Sequence, residues 1–238
     1  MKHILLLALA AGMASSSFAA FTAEAFNNGT IRPSGARTGT SGKNFFNIEG
    51  DSNGANASWG PADFQSSAFA VGFTVADITN FSISLTESNA SFTLHGKMNF
   101  WFSTDTTTSI DPGGTIVHQM GATPPGVGSQ LGSLIAIGDG DFLTDGNVNT
   151  GQVDTYNFSL SSAAETYLIN ALNSNSAIRV VITPDASTPA VAATFAGFSN
   201  STYAGPTMTF DATPVPEPVS MIALGAGLVA LARKRRRA

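Results

Sequence analysis

The feature that most constrains the fold is a run of alternating apolar and polar residues in the middle of the chain. Within residues 92–102, every second position but one is apolar: Phe92, Leu94, Met98, Phe100 and Phe102. The intervening positions carry Thr93, His95, Lys97, Asn99 and Trp101. Because successive side chains of a strand point to opposite faces, this pattern predicts a long, half-buried β-strand. Gly96 interrupts the apolar set, which indicates a bulge or the close approach of another segment.

Several other segments have strand character. Residues 81–86 repeat the alternation, and Ser88-Asn89 predicts a turn before the central run. Further strands are predicted at residues 69–75, 134–137, 155–160, 178–183, 191–198 and 207–210. Gly, Pro, Asn and Asp separate these segments, without a regular alternation of strands and helices. The pattern therefore predicts an all-β fold, a jelly-roll-like antiparallel β-sandwich.

One short helix is predicted among the strands. The segment 162–165 matches a capping box, with Ser162 as the N-cap and Glu165 three positions later. The apolar residues that follow at helical spacing share one face: Ala164, Leu168, Ala171 and Leu172. We expect this helix to end near Asn173 and to cover an end or edge of a sheet.

Composition excludes several classes of active site. The 238 residues include no cysteine, which excludes disulfides, cysteine-ligated metal centres and a thiol nucleophile. Only His95 and His118 lie outside the N-terminal segment, and neither a G-x-S-x-G motif nor a phosphate-binding glycine loop occurs. We predict a single non-enzymatic domain without a cofactor. Two carboxylates that converge in the folded chain are the enzymatic alternative.

The charge is unevenly distributed along the chain. The formal net charge is −5, but residues 20–214 hold five Lys and Arg against fifteen Asp and Glu, a net −10. Five cations form one run near the C-terminus: Arg233, Lys234, Arg235, Arg236 and Arg237. A sparsely charged, acidic body lacks the basic patch that binds nucleic acid, so no nucleic-acid partner is expected.

The N-terminal segment has the layout of a secretory signal peptide. A single cation precedes an apolar run at residues 4–13, and small residues follow it. Cleavage after Ala19 fits best, with Ser17 at position −3. A terminal helix that is retained is the alternative.

The C-terminal segment has three parts. Pro216, Glu217 and Pro218 precede the uncharged, mostly apolar residues 219–232, and the basic run follows. A fourteen-residue helix would span about 21 Å, less than the ~30 Å hydrocarbon core. Terminal cations hold such a segment on the cytoplasmic side, and their long stems can absorb the mismatch. We predict a hydrophobic membrane helix with a basic stop signal; an ordinary single-pass anchor is the alternative.

This three-part order resembles the PEP-CTERM sorting signal of Gram-negative bacteria, a tail also known as an ice-binding-protein C-terminal domain. The resemblance covers residues 214–238, and it leaves residues 1–19 as signal peptide and 20–213 as the β-sandwich domain. It implies export through the Sec machinery, transient anchoring in the inner membrane and recognition by an exosortase, a membrane protease. The family is associated with extracellular polysaccharide and biofilm. In such families the tripeptide, here Pro216, Glu217 and Pro218, marks the processing region.

The order of parts in the body resembles the jelly-roll domains named DNRLRE, which are related to carbohydrate-binding modules. The matching features are the runs at residues 59–64, 178–182 and 204–210, together with the alternating strands and the capped helix. The resemblance implies a jelly-roll fold.

Trp101 is the one large aromatic residue on the polar face of the predicted central strand. An exposed aromatic ring stacks on the apolar face of a sugar, and His95 and Asn99 beside it would bind hydroxyl groups. The Trp101 face is therefore a candidate glycan platform. The alternative is that a strand, a loop or the helix covers it, and Trp59 is expected to cap the core.

A loop rich in Asp, Asn and Gly at residues 138–149 suggests calcium, which prefers oxygen ligands. Its candidate ligands are Asp139, Asp141 and Asp145, although the spacing does not match an EF-hand. Ordinary Asp and Gly turns explain the segment as well. Glu49 and Asp51, which flank Gly50, allow the same two explanations.

Together these features predict an exported surface or extracellular-matrix protein with a structural or adhesive role. The alternative is a carbohydrate-binding module that acts on exopolysaccharide through the Trp101 face.

Overall fold

The computed structural model describes residues 19–143 and 149–215. Within them the chain forms short helices α1 (Ser41–Asn44) and α2 (Ser162–Asn173), and a series of strands. The strands are β1 (Ala19–Glu24), β2 (Asn27–Asn28), β3 (Ile31–Arg32), β4 (Gly35–Ala36), β5 (Phe45–Glu49), β6 (Gly60–Gln65), β7 (Val75–Thr86), β8 (Gly96–Ser103), β9 (Leu134–Phe142), β10 (Val153–Phe158), β11 (Ala177–Pro184), β12 (Ala192–Ala196) and β13 (Thr207–Pro214).

Two antiparallel sheets form a β-sandwich. The first sheet has the order β1-β13-β7-β10, and the second has the order β2-β6-β11-β8-β9. Two small pairs, β5–β12 and β3–β4, flank them. The chain passes repeatedly from one sheet to the other, so that β7 and β8 lie in different sheets although they follow one another in sequence. The all-β sandwich predicted from the alternation is confirmed.

The main core lies between the two sheets and is rich in phenylalanine. Phe81 of the first sheet meets Phe102 of the second with ring centroids 5.8 Å apart. Phe100 lies 4.9 Å from Tyr156 across the same interface. Helix α2 packs on this core through Leu168, as its spacing predicts. Burial of these rings from water supplies the main driving force for closing the sandwich.

A second apolar cluster covers the outer face of the second sheet. Its buried members come from β3, from the residue before β6, from β11 and from the long loop at residues 104–133: Ile31, Trp59, Val181, Ile110, Ile116, Val127 and Leu131. Because both faces of β11 are covered, almost every residue of that strand is buried.

A buried ion pair fastens the start of the covering loop. Arg179 and Asp63 lie opposite each other on β11 and β6, and Arg179 Nε donates to Asp63 Oδ1 at 2.7 Å. A second bond joins Nη2 to Asp63 Oδ2 at 2.9 Å. The remaining Nη1 donates to the carbonyl oxygens of Asp105 and Thr108. One side chain thus ties two strands and the loop together.

Two local predictions are confirmed. A Cβ added to Gly96 would lie 2.4 Å from Val191 Cβ, so the glycine marks a close approach between segments. Helix α2 ends at Asn173, and Ala164, Leu168 and Ala171 are buried on one face.

Other local predictions are wrong. Strand β8 begins only at Gly96, so Phe92 and Leu94 are not part of the buried face and are 73% and 51% exposed. Phe92 ends a 3₁₀ turn (Ala90–Phe92), and alternation alone cannot show where a strand begins. The strand predicted at residues 69–75 does not form, because Phe69 ends another 3₁₀ turn and Ala70 is left-handed, with φ 52°; only Val75 is in a strand, as the first residue of β7.

The N-cap of α2 is also one residue earlier than predicted. The hydroxyl of Ser161, not that of Ser162, accepts the backbone N–H of Ala164 at 3.3 Å. The Glu165 carboxylate accepts the N–H of Ile78 on β7 at 3.2 Å, instead of returning to the start of its own helix. A tertiary contact therefore replaces half of the predicted capping box.

The predicted signal peptide up to residue 18 and the tail from Pro216 onward lie outside the described residues. In the described part of the chain, neither helix has the length and apolar content needed to cross a membrane.

Candidate functional site

A polar cleft of about 260 Å³ opens beside the β5–β12 pair and is the strongest candidate for a binding site. We call it the arginine cleft. Among the residues that line it are Arg32, Arg37, Asn47, Glu49, Phe92 and Thr194. Its volume is close to the lower end of ordinary ligand pockets, roughly 300–1,000 Å³.

Strand alternation places polar groups on the cleft side of β5. Phe46 and Ile48 are fully buried in the main core. The intervening Asn47 and Glu49 therefore point the other way, and Asn47 pairs with Thr194 of β12. The β3–β4 hairpin brings Arg32 to the same wall, and Arg37 follows its second strand.

A chain of hydrogen bonds orders the polar wall. Arg37 Nη1 donates to Asn47 Oδ1 at 2.9 Å. The amide nitrogen of Asn47 donates to Glu49 Oε1 at 3.1 Å and to Thr194 Oγ1 at 2.9 Å. The Arg37 guanidinium also lies 5.3 Å from the centroid of the Phe45 ring, within the range of a cation–π contact. The wall is thus preorganised before any ligand arrives.

The charges of the cleft influence one another. Burial raises the pKa of the Glu49 carboxyl above its usual value, while Arg32, Asn47 and Arg37 oppose this rise. Burial and the neighbouring Arg32 both lower the pKa of Arg37. Two guanidinium groups therefore share a partly desolvated space with a single carboxylate.

An exposed aromatic ring stands at the rim of the cleft. Phe92 is held there by the 3₁₀ turn Ala90–Phe92, in which the N–H of Ser91 donates to Asn89 Oδ1 at 3.1 Å. Because 73% of Phe92 is exposed, its ring face is accessible to an apolar surface of a ligand.

A buried carboxyl lies directly behind this rim. Glu87 is fully buried, and its Oε1 accepts the N–H of Asn89 at 3.2 Å. Its Oε2 has no hydrogen-bond partner among the described residues. Burial raises the pKa of Glu87 to about 7, and the nearby Asp154 contributes to the rise.

The predicted Trp101 platform is half covered. Trp101 packs against the second apolar cluster, and its indole N–H donates to Thr183 Oγ1 at 3.2 Å. Asn99 donates to Asp185 Oδ2 at 2.8 Å, and His95 is exposed just before β8 begins. Only Asn99 and Trp101 therefore share a face of β8, and the covering loop occupies part of that face. Trp59 is fully buried in the second cluster.

Two of the three calcium candidates lie on strand β9. Asp139 Oδ2 accepts a salt bridge from Lys97 at 2.7 Å, and Asp141 is exposed two positions later on β9. Asp145 lies outside the described residues. Among the residues that the structure places, no group of three acidic or histidine side chains is arranged to hold a metal ion.

The remaining titratable candidate is the pair formed by His118 and Asp51. His118 Nε2 lies 2.6 Å from Asp51 Oδ1, and the imidazole is completely buried. Gly126 packs directly against the ring, where a Cβ would come within 2.5 Å of Nδ1. The pair therefore joins the 3₁₀ segment that follows β5 to the covering loop, and its imidazole is closed off from solvent.

No sequence pattern points to the arginine cleft, although Glu49 is among the candidate calcium ligands. Asn47 and Thr194 are separated by 147 positions, and no local motif joins them. One usable signal existed, since Arg32 and Arg37 are two of only five cations in a body of net charge −10.

Comparison of the chain with models of known protein families and with curated proteins finds no match.

Proposed function

We propose that this chain is an exported surface or matrix protein with a structural or adhesive, non-catalytic role. Its N-terminal signal directs export, and its PEP-CTERM-like tail is sorted and cleaved by an exosortase. The sandwich is a jelly roll, a proposal supported by the repeated passage of the chain between two antiparallel sheets. The observation that supports this role is the placement of features along the first sheet: both predicted processing points lie at one end, and the arginine cleft lies at the other.

Both predicted processing points adjoin the same end of that sheet. Ala19, the predicted cleavage residue, starts β1 and pairs with Ala212 near the end of β13. Pro214 at the end of β13 pairs with Val75, where β7 begins. The N–H of Val215 then donates to the carbonyl of Thr74 at 2.8 Å. We call this end the attachment pole.

The arginine cleft lies at the opposite end. Strand β7 runs from Val75 at the attachment pole to Thr86, a length of roughly 36 Å. Asn89 and Phe92, on the rim of the cleft, follow within six residues of the end of β7. A chain held by either terminal segment would therefore present the cleft away from the membrane, as an adhesive surface requires.

Carbohydrate binding is the second candidate function, and the cleft favours it. Stacking on Phe92 and hydrogen bonds from sugar hydroxyls to the Glu49 carboxylate are the contacts that a sugar ring uses. The Trp101 face remains a candidate, but it offers only part of one ring.

Sorting is tested by changing the tail and following the exported chain. Deletion of residues 216–238, or the single change Glu217→Gln, should alter the final location and abolish the processed form on an immunoblot. Glu24→Gln is the matched control, since it makes the same change at an exposed position of β1. Unchanged processing and retention in the deletion variant would overturn the sorting proposal.

Carbohydrate binding is tested on a glycan array with two aromatic variants. Phe92→Ala should abolish binding, whereas Trp101→Ala should leave it largely intact; the reverse pattern assigns binding to the Trp101 face. Phe26→Ala removes another exposed ring and serves as the control. If no glycan binds the wild-type chain, the second function is wrong.

A further inference from the structure

We infer that the arginine cleft selects an acidic saccharide, one that carries a carboxylate on the sugar ring, such as a hexuronate polymer. The inference rests on the second candidate function and adds the ligand class. It follows from the charges that the fold leaves unneutralised, from the donors that remain free and from the exposed ring beside them.

The charges of the cleft differ from those of the rest of the body. The described residues contain five lysines and arginines, and three of them are in salt bridges with aspartates: Lys43 with Asp111, Lys97 with Asp139, and Arg179 with Asp63. Arg32 and Arg37 form no salt bridge with any described residue. They share the cleft with one carboxylate, that of Glu49. The cleft therefore has a local excess of positive charge in an acidic protein.

The two guanidinium groups retain hydrogen-bonding capacity. Each carries five N–H donors, and Arg37 uses one of them on Asn47 within the described structure. The Nε of Arg32 is buried and has no hydrogen-bond partner among the described residues. Guanidinium groups bind carboxylates through two parallel hydrogen bonds, so a carboxylate would satisfy donors that the fold leaves open.

Mutual repulsion gives an anion a further advantage. Arg32 lies close enough to lower the pKa of Arg37, which reflects the free-energy cost of holding two positive charges together. A carboxylate placed between them reverses this cost, whereas a neutral sugar does not. The interaction is strengthened because the site is partly shielded from water.

The other groups of the cleft suit a sugar better than a simple anion. The carboxylate of Glu49 can accept hydrogen bonds from hydroxyl groups. The buried Asn47, which is bonded to both Glu49 and Thr194, holds this carboxylate in place. Phe92 offers an exposed ring face at the rim. A ligand with a carboxylate, several hydroxyls and an apolar ring face uses every one of these features. Nucleic acid is disfavoured, because its dense phosphate charge would meet an acidic body around a single small positive site.

The inference is tested with polygalacturonate and its methyl ester, which differ in the carboxylate charge. Affinity electrophoresis or calorimetry on the exported chain in 0.15 M salt would measure the dissociation constants, since this salt screens charges beyond about 8 Å. We expect the acid form to bind at least roughly tenfold more tightly than the ester, the effect of one charge-assisted contact.

Variants assign the selectivity to the cleft. Arg37→Gln and Arg32→Gln should each weaken binding of the acid by roughly tenfold or more, while Arg37→Lys should retain part of it. Lys97→Gln is the matched control, because it removes the same charge from a strand outside the cleft. Thermal unfolding of each variant verifies that the fold is intact.

Three outcomes would overturn the inference. Equal affinity for acid and ester with loss of both in Phe92→Ala would retain carbohydrate binding but refute selection of the carboxylate. General polyelectrolyte attraction would be shown if Lys97→Gln and Arg37→Gln weakened binding of the acid polymer equally. It would also be shown if dextran sulfate bound equally to all variants. Failure of every saccharide to bind would refute the carbohydrate function itself and, with it, the acid selectivity.

Discussion

Replacement of Glu87 by Gln should stabilise the protein at high pH and change little at low pH. Glu87 is fully buried behind the rim of the arginine cleft, and one of its oxygens has no hydrogen-bond partner among the described residues. Burial raises its pKa from 4.5 to about 7, so the folded state binds the proton more tightly than the unfolded state. Glutamine is isosteric with the protonated acid and never ionises.

The magnitude follows from proton linkage. The contribution of Glu87 to stability is fully present below about pH 4.5 and is lost as the pH rises through about 7. Each unit of pKa corresponds to about 1.4 kcal/mol, so the loss approaches about 3 kcal/mol at pH 8. Glu87→Gln removes this loss. The variant should therefore exceed the wild type in free energy of unfolding by up to about 3 kcal/mol at pH 8 and match it near pH 4.5.

Urea unfolding of both proteins between pH 4.5 and 8.5 would measure the difference directly. Taking the difference between variant and wild type removes the contributions of the other acidic residues. Glu24→Gln makes the same change at an exposed position of β1 and serves as the control. A constant difference for Glu87→Gln, or a variant that is less stable at pH 8, would refute the reasoning.

Three further substitutions test the fold. Ser161→Ala should lower the free energy of unfolding, measured in urea, by about 1 kcal/mol, because the Ser161 hydroxyl caps α2. Ser162→Ala should have almost no effect, and the opposite ranking would support the predicted capping box. Asp63→Asn should lower the free energy of unfolding by about 3–5 kcal/mol, since it leaves Arg179 buried without its counter-charge. It should also increase hydrogen exchange in the covering loop, and unchanged exchange would contradict the role of the ion pair. Gly96→Ala should lower the unfolding temperature, because its methyl group would lie 2.4 Å from a valine Cβ, and an unchanged temperature would show that the neighbouring segment yields.

Much of the sandwich was predictable because its strands alternate cleanly or are apolar throughout. Residues 81–86 lie within β7, and residues 178–183 lie within β11. Helix α2 was predictable because its apolar face repeats at helical spacing over three turns. In each case, local pattern and tertiary environment favour the same element.

The errors occurred where tertiary contacts decide between local alternatives. Phe92 fits a strand pattern but belongs to a turn, and Glu165 fits a capping box but bonds to another strand. The arginine cleft could not be predicted, because Arg37, Asn47 and Thr194 meet only after β5 pairs with β12. Neither spacing nor composition determines such a meeting.

The central claim, that the arginine cleft binds an acidic saccharide, is tested most directly by mapping the binding site. Backbone NMR shifts of the exported chain would be recorded during titration with an oligogalacturonate. We predict that the largest shift changes cluster at Arg37, Asn47 and Phe92, and that they disappear in Arg37→Gln. Shift changes centred on Trp101, or no changes at saturating ligand, would contradict the claim.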